Sequence, residues 1–321
     1  MNRADLLLAL SGATEGVSGE KLAERFGLSR SAVWKAIQGL RAEGLGIDAV
    51  AGQGYRLAQP LDLIDEAAWR MQMGPRIAAR FDSIEVVWRI DSTSTELRRR
   101  QAAGDHGRRL LLAESQSAGR GRLGRAWSSP PAANLYLSLG WRLARPASAL
   151  GGLSLALGVA VAEALSAIGV DGIGLKWPND VLRHGRKLGG LLVELGGELG
   201  GPSDLVVGLG LNVRMPASAA QGIDQPWADL ADVGSLPSRC IIAAKVVGAM
   251  VAALDGYDSQ GFAPFRSRFH ALDALRGQDV SVRDGERRLA GVALGVDAEG
   301  GLCVRHADGE RVHRGGEVSL R

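Results

Sequence analysis

Cysteine is nearly absent from this sequence. The 321 residues contain two, Cys240 and Cys303, far apart and outside any CxxC or Cys/His cluster. That spacing excludes a disulfide framework and a cysteine zinc site, and it fits a reducing cytoplasm. Charge of one sign is also scarce: 38 Lys+Arg against 35 Asp+Glu leave an excess of three, so the chain is no polyelectrolyte and any phosphate binding must be local. The opening MNRADLLLAL places Arg3 and Asp5 before a short apolar run with no small-residue cleavage site, so no signal peptide is expected. The nearest thing to a membrane span, Leu150 to Val170, is rich in Gly, Ala and Ser and interrupted by Glu163. Its Leu153, Leu157, Val161 and Leu165 recur every four residues, which predicts a buried amphipathic helix and no membrane partner. Fixed-period repeats and low-complexity tracts are absent.

What remains is ordinary globular composition, 46% apolar and 23% charged, in a chain long enough for two or three domains. The pattern divides it into 1–60, 68–272 and 275–321, an α/β (α+β) multidomain architecture. Residues 1 to about 60 read as three short helices and a hairpin, closed by Gln59-Pro60. Strand-like runs then alternate with helix-like ones. The strands are Ile84 to Ile90, Leu110 to Glu114, Leu135 to Trp141, Leu191 to Leu195 and Leu205 to Val213; the helices are Ser94 to Ala103, Leu150 to Ile168 and Arg239 to Asp255. After Gly277, short alternating segments punctuated by Asp284-Gly285, Glu299-Gly300-Gly301 and Asp308-Gly309 predict a small β unit of four or five strands.

In the N-terminal segment Ser18 can cap a helix with Glu20 in its first turn and Leu22 and Phe26 on one face. Gly27 supplies a tight turn, Ser29 caps the next helix, and Val33, Ile37 and Leu40 form its inward stripe. This spacing is helix-turn-helix. The opposite face then carries Arg30, Ser31, Trp34, Lys35, Gln38 and Arg41, side chains suited to phosphates and base edges. Ile47 to Leu57 alternates around Gly52-Gln53-Gly54 as a wing would, with Arg56 expected near its tip. Seven Lys+Arg against six Asp+Glu in residues 1–60 are a faint electrostatic footprint, so a helical packing module is the competing reading.

The most informative stretch is Gly119-Arg120-Gly121-Arg122-Leu123-Gly124-Arg125-Ala126-Trp127. Three glycines let backbone approach a ligand, and three arginines offer forked donors for phosphate. Taken alone, an exposed basic turn looks the same. Ahead of it lie Asp91-Ser92-Thr93-Ser94-Thr95, a hydroxyl cluster that reads equally as a helix cap, and Gln116. Further on come Lys176-Trp177-Pro178-Asn179-Asp180 and Arg186-Lys187-Leu188-Gly189-Gly190. Lys187 could neutralise a carboxylate and a phosphate as they approach each other. Asp180 could hold magnesium together with substrate phosphates. A strand-end salt bridge and a simple turn are the plainer alternatives.

GRGRxGRxW, KWPND, RKLGG and the later Gly208-Leu209-Gly210-Leu211-Asn212, in this order behind a helix-turn-helix, resemble the bifunctional biotin protein ligases over essentially the whole chain. The resemblance implies a winged helix, a central mixed sheet related to lipoyl ligases, and a C-terminal SH3-like barrel. It implies that Ser92, Thr93 and Gln116 hydrogen-bond the biotin ureido ring, with Ser94, Gly119, Arg120, Gly121, Arg122, Lys187, Gly190, Leu192 and Gly208 completing the biotin site. Arg120, Arg122, Trp127, Lys176, Asn179, Asn212 and Trp227 would serve the nucleotide. In two places this chain departs from the common pattern: Ser94 stands where DSTN is usual, and Leu123 and Ala126 fill positions that are basic in some members.

The implied reaction is ATP-dependent formation of biotinyl-5'-AMP, with Lys187, Arg120, Arg122 and Asp180 as the catalytic set. Transfer to a lysine of the biotin carboxyl carrier protein follows. The implied partners are that carrier, operator DNA and a second copy in a ligand-bound homodimer. A ligase with a silent DNA module, a repressor without ligation, and a lipoate ligase are the rival readings.

Overall fold

The computed structural model describes residues 3–11, 16–50, 52–196, 201–284 and 287–320. Met1 and Asn2 of the N-terminal run, and Gly285 of the anticipated Asp284-Gly285 turn, lie outside the described residues. Three short helices come first: α1 (Arg3–Ser11), α2 (Gly19–Phe26) and α3 (Arg30–Ala42). Ser18 caps α2 by accepting from the Lys21 amide, Gly27 closes it at φ 62°, and Ser29 caps α3 by accepting from the Ala32 amide. Each cap satisfies a backbone donor that a helix start otherwise leaves unpaired. Val33, Ile37 and Leu40 are fully buried against Leu6, Leu7, Leu10 and Leu22.

The wing consists of β1 (Ile47–Val50) and β2 (Gly54–Leu57), antiparallel, with Asp48 opposite Arg56. That register corrects one expectation. Arg56 sits two pairs back from the turn, beside Asp48 at 3.9 Å, and not at the wing tip. The three helices and hairpin otherwise follow the sequence pattern.

The following segment is tied firmly to the rest of the chain. Asp62 accepts from the Arg239 amide, and the Ile64 amide donates to Glu114. Then come α4 (Glu66–Ala78), bent at Gly74-Pro75, β3 (Ser83–Ile90), α5 (Thr93–Ala102), β4 (Arg109–Gln116) and β5 (Leu135–Leu143). After these follow α6 (Leu153–Ala167), β6 (Ile173–Lys176), β7 (Asp180–Arg183), β8 (Arg186–Gly196), β9 (Ser203–Leu211), α7 (Ala217–Ala220), α8 (Arg239–Gln260) and α9 (Ala263–Leu272).

Seven strands form one mixed sheet in the order β3-β4-β5-β9-β8-β7-β6, in which β3 and β4 are parallel and the other neighbours antiparallel. Because side chains alternate along a strand, Leu137, Leu139, Leu205, Val207 and Leu209 enter the large core shared with α4, α6 and α8. Ser138, Gly208 and Gly210 consequently belong to the other face, where α5 packs and a cavity opens.

The pattern of α6 needs a second correction. Its Leu153, Leu157, Val161 and Leu165 are buried as expected, but Leu155, Val159, Ala160 and Ala162 are buried as well. With the sheet on one side and α8 and α9 on the other, α6 is apolar nearly all round and is not amphipathic. Among the described residues, α8 alone is long and apolar enough to cross a membrane, and 61% of its apolar window is buried inside the protein, as in a core helix.

The chain finishes in a five-stranded antiparallel sheet of β10 (Asp279–Asp284), β11 (Arg287–Val296), β12 (Leu302–His306), β13 (Gly309–His313) and β14 (Glu317–Leu320), in the order β13-β12-β11-β10-β14. Its Val280, Val282, Ala293, Leu302 and Val304 join the main core. The N-terminal helices meet the central sheet through Glu43, which accepts from Trp88 Nε1 at 3.0 Å and pairs with Arg89 at 3.0 Å.

A buried ion pair locks the core to the N-terminal connection. Arg239 is 1% exposed and holds Glu114 at 2.5 Å, while also donating to the Asp62 and Asn134 carbonyls. Removing one member leaves an uncompensated buried charge. Arg239→Ala should therefore lower stability by about 3–5 kcal/mol in denaturant unfolding, and the double change Glu114→Gln/Arg239→Met should recover part of the loss. A single-variant loss under about 1 kcal/mol would contradict this account.

Candidate active site

A cavity of about 410 Å³ lies between the open face of the seven-stranded sheet and the C-terminal sheet. At one end β3 runs into Asp91, and Ser92 caps α5. Ser92, Thr93 and Ser94 are 2%, 3% and 4% exposed, with the Ser92 and Ser94 hydroxyls 3.0 Å apart. Thr93 donates its amide to Gln116 Oε1 at 2.8 Å and shares a 2.8 Å hydroxyl bond with Ser138. Gln116 Nε2 donates to Ser129, whose hydroxyl donates on to the Trp127 carbonyl. The cluster is thus both a helix cap and a set of fixed, uncharged donors and acceptors, suited to a neutral polar group.

The floor is made by the glycines of β9. A Cβ on Gly210 would stand 2.3 Å from the Trp127 ring, and one on Gly208 would meet Ser138 and Leu192, so glycine lets the indole lie flat on the strand. The loop carrying Trp127 is closed by Gly121 N to Arg125 O at 2.7 Å and Trp127 N to Gly119 O at 2.9 Å. At its tip Leu123, φ 55°, is 70% exposed.

The loop arginines diverge. Arg120 reaches Glu194 at 3.0 Å and the Thr95 hydroxyl, Arg122 donates to Asn179 Oδ1 at 3.2 Å, and Arg125 pairs with Glu317 at 2.6 Å. Burial pulls the Arg122 guanidinium below its ordinary value, opposed by Asp180 and Glu317.

Opposite the hydroxyl cluster, Lys187 on β8 approaches Asp180 on β7 at 2.9 Å, with its ammonium 5.7 Å from the Trp127 ring centre. Lys176, at the end of β6, is half-buried beside them. Burial is the main cause that pulls its ammonium below the usual lysine range, and Lys187 adds to it, while Asp180 opposes. Lys187 is further pinned by its backbone, donating to the Pro226 carbonyl and accepting from the Ala228 amide.

Most residues anticipated from the sequence line this one space: Ser92, Thr93, Ser94, Gln116, Arg120, Gly121, Arg122, Trp127, Lys176, Asn179, Asp180, Lys187, Gly190, Leu192 and Gly208. Gly119, Asn212 and Trp227 do not line it. Gly119 stands behind the loop, where a Cβ would meet the Trp127 carbonyl at 2.5 Å. Asn212 is buried and donates to the Ala228 carbonyl. Trp227 is half-buried in the segment pinned to Lys187. Trp127 Nε1, packed against Gly210, and Asn212 Oδ1, behind the cavity lining, are both buried without a hydrogen-bond partner.

Sequence reasoning missed Ser138 and the whole C-terminal contribution of Ser281, Arg283, Arg288, Glu317 and Ser319. Their only signal is alternation within short strands, which does not reveal the facing partner. Among the described residues no three His, Cys, Asp or Glu side chains converge as a metal site. Asp180 offers one carboxylate, a donor set that fits magnesium only if phosphates and water supply the other ligands.

On the N-terminal module, Arg30, Ser31, Trp34 and Lys35 are exposed along α3, and Gln38 is half-buried. Arg41 is turned inward, donating Nε to the Ile47 carbonyl at 2.8 Å. It braces the wing.

Residues 86–212 match the biotin/lipoate A/B protein ligase family, residues 2–56 an HTH domain, and residues 276–321 the biotin protein ligase C-terminal domain. The bifunctional ligase/repressor BirA of Salmonella typhimurium is 39% identical over 98% of this chain and 96% of its own, and that of Escherichia coli 38% identical over the same shares. The biotin protein ligase of Aquifex aeolicus, solved with biotin and ATP, superposes with a TM-score of 0.63 at 29% identity, covering 75% of this chain and 99% of that one.

The desolvated Lys176 sets a pH dependence. Its free-state pKa is depressed, and a bound anion favours the charged form, so anion binding takes up a proton as pH rises through the depressed value. Affinity for an anionic ligand should therefore fall toward alkaline pH by roughly tenfold, as losing one charge-assisted contact would cause. Lys176→Arg, charged throughout, should flatten the profile. Identical profiles in a titration from pH 7 to 10 would refute the assignment.

Proposed function

This chain belongs to the biotin protein ligase family, and from that membership we propose that it is an ATP-dependent biotin–[acetyl-CoA-carboxylase] ligase that doubles as a biotin-responsive repressor of biotin synthesis genes. The observation that carries the ligase reading is a single cavity with an uncharged hydroxyl and amide cluster at one end and Lys187, Arg122 and Lys176 at the other. The first suits the ureido ring, the second a carboxylate meeting a phosphate.

In the first step a biotin carboxylate oxygen attacks the α-phosphorus of ATP, the bond to the β-phosphate oxygen breaks, and pyrophosphate leaves. Mutual repulsion of the two anions is the obstacle. Lys187 and Arg122, fixed before the substrates arrive, lower it by electrostatic preorganisation. Asp180 keeps Lys187 aimed into the cavity. Magnesium brought in with the nucleotide supplies further charge neutralisation, with Asp180 as the carboxylate able to reach it. Trp127, which lines the cavity, offers a ring face for adenine. In the second step a neutral lysine amine of the biotin carboxyl carrier protein attacks the acyl carbon, AMP departs with its oxygen, and a proton is released.

For the repressor activity, Arg30, Ser31, Trp34, Lys35 and Gln38 on α3 face the DNA, with the wing against the backbone. Arg41, on the same helix, also donates Nε to the wing at the Ile47 carbonyl. A two-fold operator bound by a homodimer is the arrangement that places two such helices on half-sites. Both cysteines are unpaired, which suits a cytoplasmic protein.

Labelled biotin with ATP and magnesium should be transferred to a purified biotin carboxyl carrier domain, and excess lipoate should compete weakly. Transfer of lipoate in preference to biotin would overturn the substrate assignment. In gel shifts with the organism's own biotin-gene promoter, biotinyl-AMP should strengthen binding. No shift at any salt would remove the repressor and leave the ligase.

A further inference from the structure

The three arginines of the glycine-rich loop tie it to different parts of the molecule. Arg122 and Arg125 reach Asn179, the Gly316 carbonyl and Glu317. Arg120 instead forks onto Glu194 of β8, with Nη2 3.0 Å from Oε1 and Nη1 3.4 Å from Oε2. A planar guanidinium set against both oxygens of a carboxylate is the directional form of an ion pair. Nη1 of the same group donates to the Thr95 hydroxyl, in the first turn of α5, at 3.3 Å.

The strand register explains why a carboxylate stands there. Leu192 lies opposite Gly208 and Glu194 opposite Val206, so Glu194 shares the face of the cavity floor, two residues beyond the last residue of β8 that lines it. On that face Val206 packs with Leu97 of α5. The Glu194 side chain is 11% exposed and takes a second arginine, Arg98 of α5, at 3.4 Å. One acid therefore joins β8, the helix that begins with the Ser92–Ser94 cluster, and the loop. We propose that Glu194 is a positioning residue: by fixing Arg120, whose backbone pairs with Ala126 across the base of the loop, it holds the loop over biotinyl-5'-AMP and slows its escape before the carrier lysine arrives. The proposal rests on the adenylating reading above. Arg120 and Arg98 are 44% and 47% exposed, so these pairs add little to global stability. Local opening of a loop breaks few contacts, and its equilibrium responds to the loss of one.

The test uses the full-length protein and three readouts: release of labelled biotinyl-5'-AMP under a chase of unlabelled biotin and ATP, single-turnover adenylate formation at saturating substrates, and thermal unfolding. Glu194→Gln, which keeps the size and removes the charge, should speed release roughly threefold to fivefold, the contribution of a partly exposed ion pair, with formation and melting as in wild type. Arg120→Ala should also speed release, and adding Glu194→Gln to it should bring no further increase, because both changes remove the same contact. Arg98→Ala, which leaves the loop contact in place, should release the adenylate as wild type does. Unchanged release from Glu194→Gln would overturn the assignment, as would additive effects in the double variant or an equal acceleration by Arg98→Ala. A loss of adenylate formation as large as the change in release would mark general damage to the site and contradict it too. If wild-type protein forms no adenylate, the ligase reading falls and this proposal with it; normal adenylate formation with unaltered release overturns the positioning role alone.

Discussion

One half-buried carboxylate, Asp180, holds the centre of this molecule together electrically. It pairs with Lys187 at 2.9 Å and lends Coulombic support to Arg122 and Lys176, two cations that burial pulls away from their ordinary values. Cations partly removed from water do not gather without a counter-charge, because their desolvation and mutual repulsion both oppose folding. Asp180 compensates only part of that charge. The remainder is left to the substrate, which is why a site of this kind binds anions well and stabilises charge that develops between them.

The rest of the fold serves that arrangement through the two-sidedness of the sheet. Alternate residues of β5 and β9 enter a core covered by α4, α6 and α8, and on the other face Ser138, Gly208 and Gly210 are the residues under the cavity. The small residues leave room for Trp127 and the ligand, while the apolar layer behind keeps the floor rigid. The C-terminal sheet closes the other side with Glu317, Arg283 and Arg288, so the sheet at the end of the chain is a wall of the site. The N-terminal module leans on β3 through Glu43, Trp88 and Arg89, and β3 is the strand that ends in the Ser92–Ser94 cluster.

Much of this was legible before any coordinates. Glycine-interleaved arginines, KWPND and RKLGG have chemical reasons for their spacing, and periodicity located the main strands and the three N-terminal helices. Three kinds of feature were not legible. Cross-domain neighbours such as Arg288 lie more than a hundred residues from Lys187 in sequence, and alternation in a short strand does not name what it faces. A long-range hydrogen bond is another: the place of Arg41 on α3 did not reveal that its Nε donates to the Ile47 carbonyl of the wing. Hairpin register decided Arg56, since a shift of pairing moves a side chain from tip to base. The all-round burial of α6 followed from a second helix layer that its own four-residue stripe could not announce.

The most direct test of the central claim is biotinyl-5'-AMP formation by Lys187→Ala, with thermal unfolding measured on the same protein. The account predicts a loss of roughly a hundredfold or more in adenylate formation with the cooperative melt retained, because the ammonium that offsets carboxylate–phosphate repulsion is gone and Asp180 adds to it. Adenylate formation near the wild-type rate would contradict the account.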